Sequence, residues 1–292
     1  MYVDDIILTG NDVEEMKMIK LKLAKEFKIK DSSSLRCFLG IEVARSKKGI
    51  YVSQWKYILN LLNKVGMLGC KLETTSINPN RNLGANPLGT PVDKGRYQRL
   101  VRKLIYLSYT WPEIAYVVGL VSQFMHAPMK CHMKTVTYIL RYLKHTPRKG
   151  LLFEKHEHCS VETYIDVDWG GLFTDGRSTS CYCTLVAWNL VTWRSKKLQV
   201  VSCSSAEAEF KHLALRICEL TWLNTLLKEL HVKVDELMRL YRDNKATISI
   251  AHNPVQHKAY WDWSTLHQGE DRRRGDLHTV CSLQVTTGRC VH

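Results

Sequence analysis

Apolar and polar residues change their rhythm several times along the chain, and each change marks an element. Ile6-Ile7-Leu8 follows the acidic pair Asp4-Asp5, and Tyr2-Val3 precedes it. With the turn residues Gly10-Asn11-Asp12, this predicts a β-hairpin carrying both carboxylates at its tip. From 13 to 30 the apolar positions Met16, Ile19, Leu21, Leu23 and Phe27 are separated by Lys and Glu, which predicts an amphipathic helix. Residues 37–54 alternate as a hairpin turning at Lys47-Lys48-Gly49, and 55–66 return to helical spacing. The stretch 70–95 is rich in Asn, Pro, Gly and Thr and reads as a loop or linker. Residues 96–145 are helical in pattern and open with Arg96, Arg99, Arg102 and Lys103. Within them 104–125 is the most apolar run, but Pro112 and Glu113 interrupt it, so two core helices are expected and no membrane span.

Lys149-Gly150 reads as a boundary, after which strand periodicity takes over. Leu151-Leu152-Phe153 and Val161 to Tyr164 read as strands, and Thr174-Asp175-Gly176 as a turn. Ser180 to Ala187 and Leu190 to Arg194 alternate as a hairpin around Trp188-Asn189. A helix is expected from Ser205, another over Leu220 to Leu230, a strand ending at Asp243, and a helix from Ala246 to His252. The expected fold class is α+β to α/β.

Composition adds a partner class. Among 292 residues, 42 Lys and Arg face 28 Asp and Glu, for a net charge of +14. That balance favours a polyanion, with nucleic acid first; the bland alternative is a merely soluble basic protein. The 10 Cys are scattered without any CxxC, so no zinc site is expected and reduced, packed thiols are. Asp4 and Asp5 stand where a signal peptide needs positive charge. The expected location is therefore intracellular, cytoplasmic or nuclear, rather than secreted.

Three acids carry the candidate chemistry. In Tyr164-Ile165-Asp166-Val167-Asp168-Trp169-Gly170-Gly171 apolar residues lead into a carboxylate, as when a buried strand delivers an acid to a site. Ser204-Ser205-Ala206-Glu207-Ala208-Glu209-Phe210 reads as a capped helix start with Glu in its first turn. Leu237 to Asn244 reads as a strand ending at Asp243. Carboxylates from strand, helix and strand suit hard divalent cations, and two such ions about 4 Å apart can clamp a phosphodiester during hydrolysis. Asp168 and Glu207 compete for the ligand role, and three ordinary surface acids are the alternative.

The text also resembles a known family. Tyr2-Val3-Asp4-Asp5, Phe38-Leu39-Gly40-Ile41-Glu42-Val43, Tyr51-Val52-Ser53-Gln54 and Tyr97-Gln98-Arg99-Leu100 resemble the copia-type retrotransposon polymerase. Arg177-Ser178-Thr179-Ser180, Trp193-Arg194-Ser195-Lys196-Lys197 and Asp243-Asn244-Lys245 resemble its ribonuclease H domain. The resemblance runs from residue 2 to about 257. It implies a truncated Pol polyprotein: residues 1–69 the end of a reverse transcriptase palm, 70–149 linker and helical thumb or connection, and 150–257 a ribonuclease H-like mixed sheet with flanking helices. It implies that Asp166, Glu209 and Asp243 hold two Mg2+, with Mn2+ as a substitute, for cleavage of RNA–DNA hybrids. Asp4 and Asp5 would be the metal-binding remnant of the polymerase site. That site needs a further upstream aspartate and a fingers subdomain, so no polymerase activity is expected from this chain alone.

By the same resemblance Arg177, Ser178 and Ser180 are expected to hold substrate phosphates. Arg194, Lys196 and Lys197 form a basic patch, since phosphate contacts position a duplex without reading its sequence. Lys47-Lys48 either touches a phosphate backbone or is simply solvated. Trp188 and Trp193 either stack on sugars or bases or are buried, burial being the commoner outcome. Cys181 stands where the family usually has Gly, which predicts local crowding. Expected partners are RNA–DNA hybrid, DNA and RNA, and a full-length polymerase.

After His257 the resemblance stops. Read one nucleotide later, permissible codons for Lys258 to Gln284 spell TRHIGIGRHFIKEKIDEGEICTPYVPS, which matches the family text. A frameshift is therefore expected near His257, leaving 258–292 as a disordered tail. The lost segment would carry a fourth acidic ligand and a His, so impaired cleavage is expected. The rival reading is a catalytically dead, nucleic-acid-binding remnant.

Overall fold

A computed structural model describes residues 6–10, 12–29, 31, 34–77, 89–168, 178–197, 205–234, 238–242 and 284–287. Residues 168, 205–211, 214, 242 and 284–287 are described by backbone alone.

The first helix, α1 (Val13–Glu26), starts where Asp12 accepts hydrogen bonds from Glu14 N and Glu15 N at 2.9 and 3.0 Å. It forms as its spacing predicts, yet none of its residues is buried. Strands β1 (Cys37–Phe38), β2 (Ile41–Arg45) and β3 (Gly49–Ser53) follow as an antiparallel meander. A β-carbon on Gly49 would lie 2.0 Å from Phe153 O, so only glycine fits where β3 begins.

Helices α2 (Trp55–Lys64), α3 (Lys94–Leu107), α4 (Pro112–Ser122) and α5 (Lys130–His145) enclose the larger apolar core. In α3 the buried positions Tyr97, Leu100, Val101, Leu104 and Leu107 recur at helical spacing, and Asp93 caps its start. Pro112 opens α4 at a position where its missing N–H costs nothing. The apolar run 104–125 is thus shared between two core helices, and among the described residues no helix is long and apolar enough to cross a membrane.

Strand β4 (Gly150–Glu154) differs from expectation. It pairs antiparallel with β3, Gly49 opposite Glu154 and Ser53 opposite Gly150. The first sheet therefore runs in the order β1-β2-β3-β4 and continues past the boundary expected at Lys149-Gly150. The break between sheets comes after Glu154, because the unpaired edge of β3 takes up the next extended segment of the chain.

The second sheet is built from β5 (Val161–Asp168), β6 (Thr179–Val186), β7 (Asn189–Lys197), β8 (Arg239–Arg242) and β9 (Gln284–Thr287), in the order β7-β6-β5-β8-β9. The first three strands are antiparallel; β8 runs parallel to β5, and β9 parallel to β8. One helix, α6 (Ser205–Glu229), lies against β5 and buries Leu213, Ile217, Leu220, Leu223 and Leu227 with Val161, Ile165 and Leu240. Two helices were expected here. The sequence from 205 to 229 contains neither Gly nor Pro, so nothing interrupts the 3.6-residue repeat. β9 departs from the expectation of a tail without ordered structure: its four residues add to the parallel edge at β8.

Candidate functional site

Asp166 is exposed near the carboxyl end of β5, and Cys181 of β6 stands directly opposite it. Strand alternation puts Asp166 and Cys181 on one face of the sheet and Ile165, which packs under α6, on the other. β8 runs parallel to β5 with Tyr241 beside Tyr164, so it ends at Arg242 at the same end of the sheet at which β5 carries Asp166. Asp243 is the next residue in sequence, but lies outside the described residues. Glu209 falls in the first turns of α6, four residues before Leu213; its side chain, like those of Asp168 and Glu207, is outside the description. Arg177, Asp4 and Asp5 also lie outside it. Among the described residues no three His, Cys, Asp or Glu side chains group closely enough to hold a metal ion. Asp166 is the one member of the expected triad whose side chain is described.

Ser178 and Ser180 correct an expectation. They are 0% and 2% exposed, so neither hydroxyl is presented to a phosphate. Ser180 Oγ instead meets the buried ring of His212, 2.7 Å from Nδ1. Ser178 Oγ is buried without a hydrogen-bond partner among the described groups. Strand alternation accounts for Ser180, which shares with Tyr182 and Thr184 the side of β6 turned toward α6. Arg194 and Lys196 are exposed on one face of β7, and Lys197 lies on the other. Cys181 lies in regular strand and outside the positive-φ residues, so its backbone there is one that any residue adopts. Its thiol donates to Ser195 Oγ at 3.3 Å.

Polar contacts missed in the sequence run through this sheet. Thr163 and Thr184 hydroxyls meet at 2.9 Å in the interior. Tyr164 OH donates to Glu162 at 3.0 Å; burial first, then that carboxylate, push its phenol up to about 12. Tyr182 OH donates to Glu219 at 2.8 Å and lies under the Arg216 guanidinium, 3.8 Å from the ring centre; burial and Glu219 raise its pKa. Burial also raises the Cys183 thiol. The signal for these contacts was a run of Thr, Ser and Tyr at inward strand positions. Trp193 is half-buried, its Nε1–H donating to Ser108 O at 2.8 Å, while Trp188 is 63% exposed.

A five-stranded mixed sheet with a helix across β5, beside a hairpin-and-helix unit with its own core, defines an α+β protein of ribonuclease H-like and polymerase-remnant architecture. Residues 1–79 match the family model described as reverse transcriptase (RNA-dependent DNA polymerase). The chain is 37% identical over 257 residues to the retrovirus-related Pol polyprotein from transposon RE1 of Arabidopsis thaliana, covering 88% of this chain and 18% of that protein. It is 30% identical over 266 residues to the Pol polyprotein from transposon TNT 1-94 of Nicotiana tabacum, covering 88% of this chain and 20% of the relative. An uncharacterized mitochondrial protein of Arabidopsis thaliana is 36% identical over 222 residues, covering 76% of this chain and 92% of that one. The chain belongs to the Pol family of copia-type retrotransposons. It spans less than a quarter of the length of the Pol polyproteins it matches.

Proposed function

We propose that the second sheet and its flanking segments form an RNA–DNA hybrid endoribonuclease, joined to part of an RNA-directed DNA polymerase. The observation that carries this reading is the parallel pairing of β5 with β8. In sheets of this kind, sites form outside the carboxyl ends of parallel strands. Asp166 sits near one such end and Asp243 follows the other in sequence.

The donor set is made of carboxylate oxygens, which fits magnesium or manganese and suits softer ions poorly. Asp166 and Asp243 would hold the ions from the ends of β5 and β8; Glu209 stands on α6, which covers the face opposite Asp166, and would join them only around the end of the sheet. Bound ions of this class supply positive charge at the phosphodiester and lower the pKa of a bound water. The chain's own part is to keep the carboxylates on rigid elements and to hold the duplex. Asp166 is fixed by strand pairing to β6. Arg194 and Lys196, exposed on the α6 face of β7, and Lys197, on the face that carries Asp166, would attract the phosphate backbone without reading bases. The hydroxyls of Ser178 and Ser180 take no part, being buried.

The test is cleavage of a labelled RNA–DNA hybrid in magnesium by the full chain and by Asp166→Asn. Loss of one electrostatic contributor of this kind costs on the order of a hundredfold to a thousandfold in rate. If parent and variant cleave equally little while both bind the hybrid, the chain is a catalytically dead binding remnant.

A further inference from the structure

A second nucleic-acid contact is built at the far end of the same sheet. Val186 of β6 pairs with Asn189 of β7, so the connection is the two-residue turn Ala187-Trp188. Both turn residues lie in the left-handed region, at φ 48° and 59°. That conformation matches the twist of a tight hairpin but normally selects Gly or Asn. Here it holds an indole that is 63% exposed.

The turn is anchored on both sides. Ala187 N donates to Ser160 O at 2.8 Å. Asn189 accepts from Glu154 N at 2.7 Å and donates to Glu154 O at 2.9 Å and to Ala187 O at 3.0 Å. Glu154 is in turn the strand partner of Gly49, and Lys155 N donates to Lys48 O at 3.5 Å. Three segments thus meet in one corner: the Trp188 turn, the Lys47-Lys48 turn, and the start of the link between the sheets. Arg45, Lys47, Lys48 and Lys155 are all exposed there, and none is ion-paired among the described residues. Glu154 and Glu157 are the opposing acids, so the corner is net basic.

We infer that this corner binds single-stranded nucleic acid, with an unpaired base stacked on Trp188 and the backbone held by the lysines. Aromatic rings beside a basic track bind single strands with little sequence preference, because every base offers a π-face. Bases inside a duplex are already stacked and cannot reach such a ring. The corner is separate from the acids. Trp188 adjoins the pair Val161–Val186 and Asp166 pairs with Cys181, five residues along, or about 17 Å away.

The experiment measures binding of fluorescent oligo(dT) and oligo(U) by the full chain carrying Asp166→Asn, which keeps nuclease chemistry out of the measurement. Trp188→Gly removes the indole and suits the left-handed backbone, so the turn is retained. It should weaken binding roughly 5- to 100-fold, and Trp188→Phe should restore most of it. Lys47→Glu with Lys48→Glu should weaken binding and flatten its salt dependence. Equal affinity of Trp188→Gly and its parent overturns the inference. So does Trp188-dependent binding of poly-glutamate as tight as that of the oligonucleotides, which would make the corner a site for acidic protein. A chain that fails to cleave hybrid but shows these binding differences sinks only the nuclease reading.

Discussion

The helical core and the second sheet differ in the balance of apolar and polar groups that they bury. Between α2, α3, α4 and α5 the interior is mainly apolar, filled by Ile58, Leu62, Tyr97, Leu104, Trp111, Ile114, Ile139 and Leu143, with a smaller polar share in Gln54, Thr110, His132 and Thr135. The second sheet buries Val161, Ile165 and Leu240 beneath α6, but it also buries Thr163, Thr184, Ser180, Glu162 and His212. Apolar burial is non-directional and tolerates adjustment, whereas buried polar groups demand particular partners in particular places. Hydrogen bonds fix side chains in both interiors, as Thr110 to Gln54 at 2.7 Å does on the helical side, but they make up the larger share in the region that carries the candidate chemistry.

The largest test of this contrast removes one fully buried leucine from each side. Leu104→Ala in α3 and Leu240→Ala in β8 both empty sites with 0% exposure, and each should cost about 2–5 kcal/mol. Urea unfolding followed by helix signal and by tryptophan fluorescence should show each variant lowering a different transition. A single transition shifted equally by both would mean that the two regions unfold as one unit and that the contrast is only local. The packing of β7 on α4, the hydrogen bond from Trp193 to Ser108 and the Asn189 clamp on Glu154 are contacts that would couple them.

A smaller effect separates directional from non-directional burial. Thr184→Val leaves the Thr163 hydroxyl, 1% exposed, without its 2.9 Å partner. That orphaned group should cost about 1–3 kcal/mol. Replacing both threonines by valine removes the demand as well as the partner, so the double variant should recover most of the loss. Additive losses in the double variant would show that packing, and not the hydroxyl pair, holds this part of the sheet.

Much of this was legible in the sequence for local reasons. Tyr97, Leu100, Val101, Leu104 and Leu107 report α3 by spacing alone, Pro112 marks the start of α4, and the alternation from Ser180 to Arg194 reports the β6–β7 hairpin. Long-range pairing was not legible. Nothing in Gly150 to Glu154 distinguishes a strand that starts a new sheet from one that completes the old, and only the free edge of β3 decides it. Strand order in the second sheet and the addition of β9 at its edge are hidden for the same reason. The position of Asp166 near the carboxyl end of a strand was legible because apolar residues lead into it. Ser178 and Ser180 were misread because a hydroxyl in a basic context looks the same whether it faces a phosphate or a buried histidine. The clamp of Asn189 on Glu154 was not legible, because a residue read as part of a turn gives no sign of which neighbouring strand it will bind.

The smallest effect is a pH dependence confined to the helical side. Glu113 in the first turn of α4 accepts hydrogen bonds from Tyr142 OH and from Lys149 Nζ. Burial alone would raise its pKa, but those two bonds and the lysine charge together hold it below 4.5. A carboxylate with a lowered folded-state pKa adds stability above its unfolded pKa and loses it as pH falls through the folded value. The helical transition should therefore weaken in acid, as pH falls below the ordinary carboxylate range and Glu113 takes up its proton. The carboxylate side chain is 42% exposed and screened by solvent, so its share should stay under about 1 kcal/mol. Glu113→Gln cannot titrate, and its thermal midpoint should lose that part of the acid slope while the second sheet's transition keeps its own. An unchanged acid slope in Glu113→Gln would remove the carboxylate from the account. A slope flattened in both transitions would mean that protonation at α4 is felt across the sheet boundary, through the face of β7 that packs on α4.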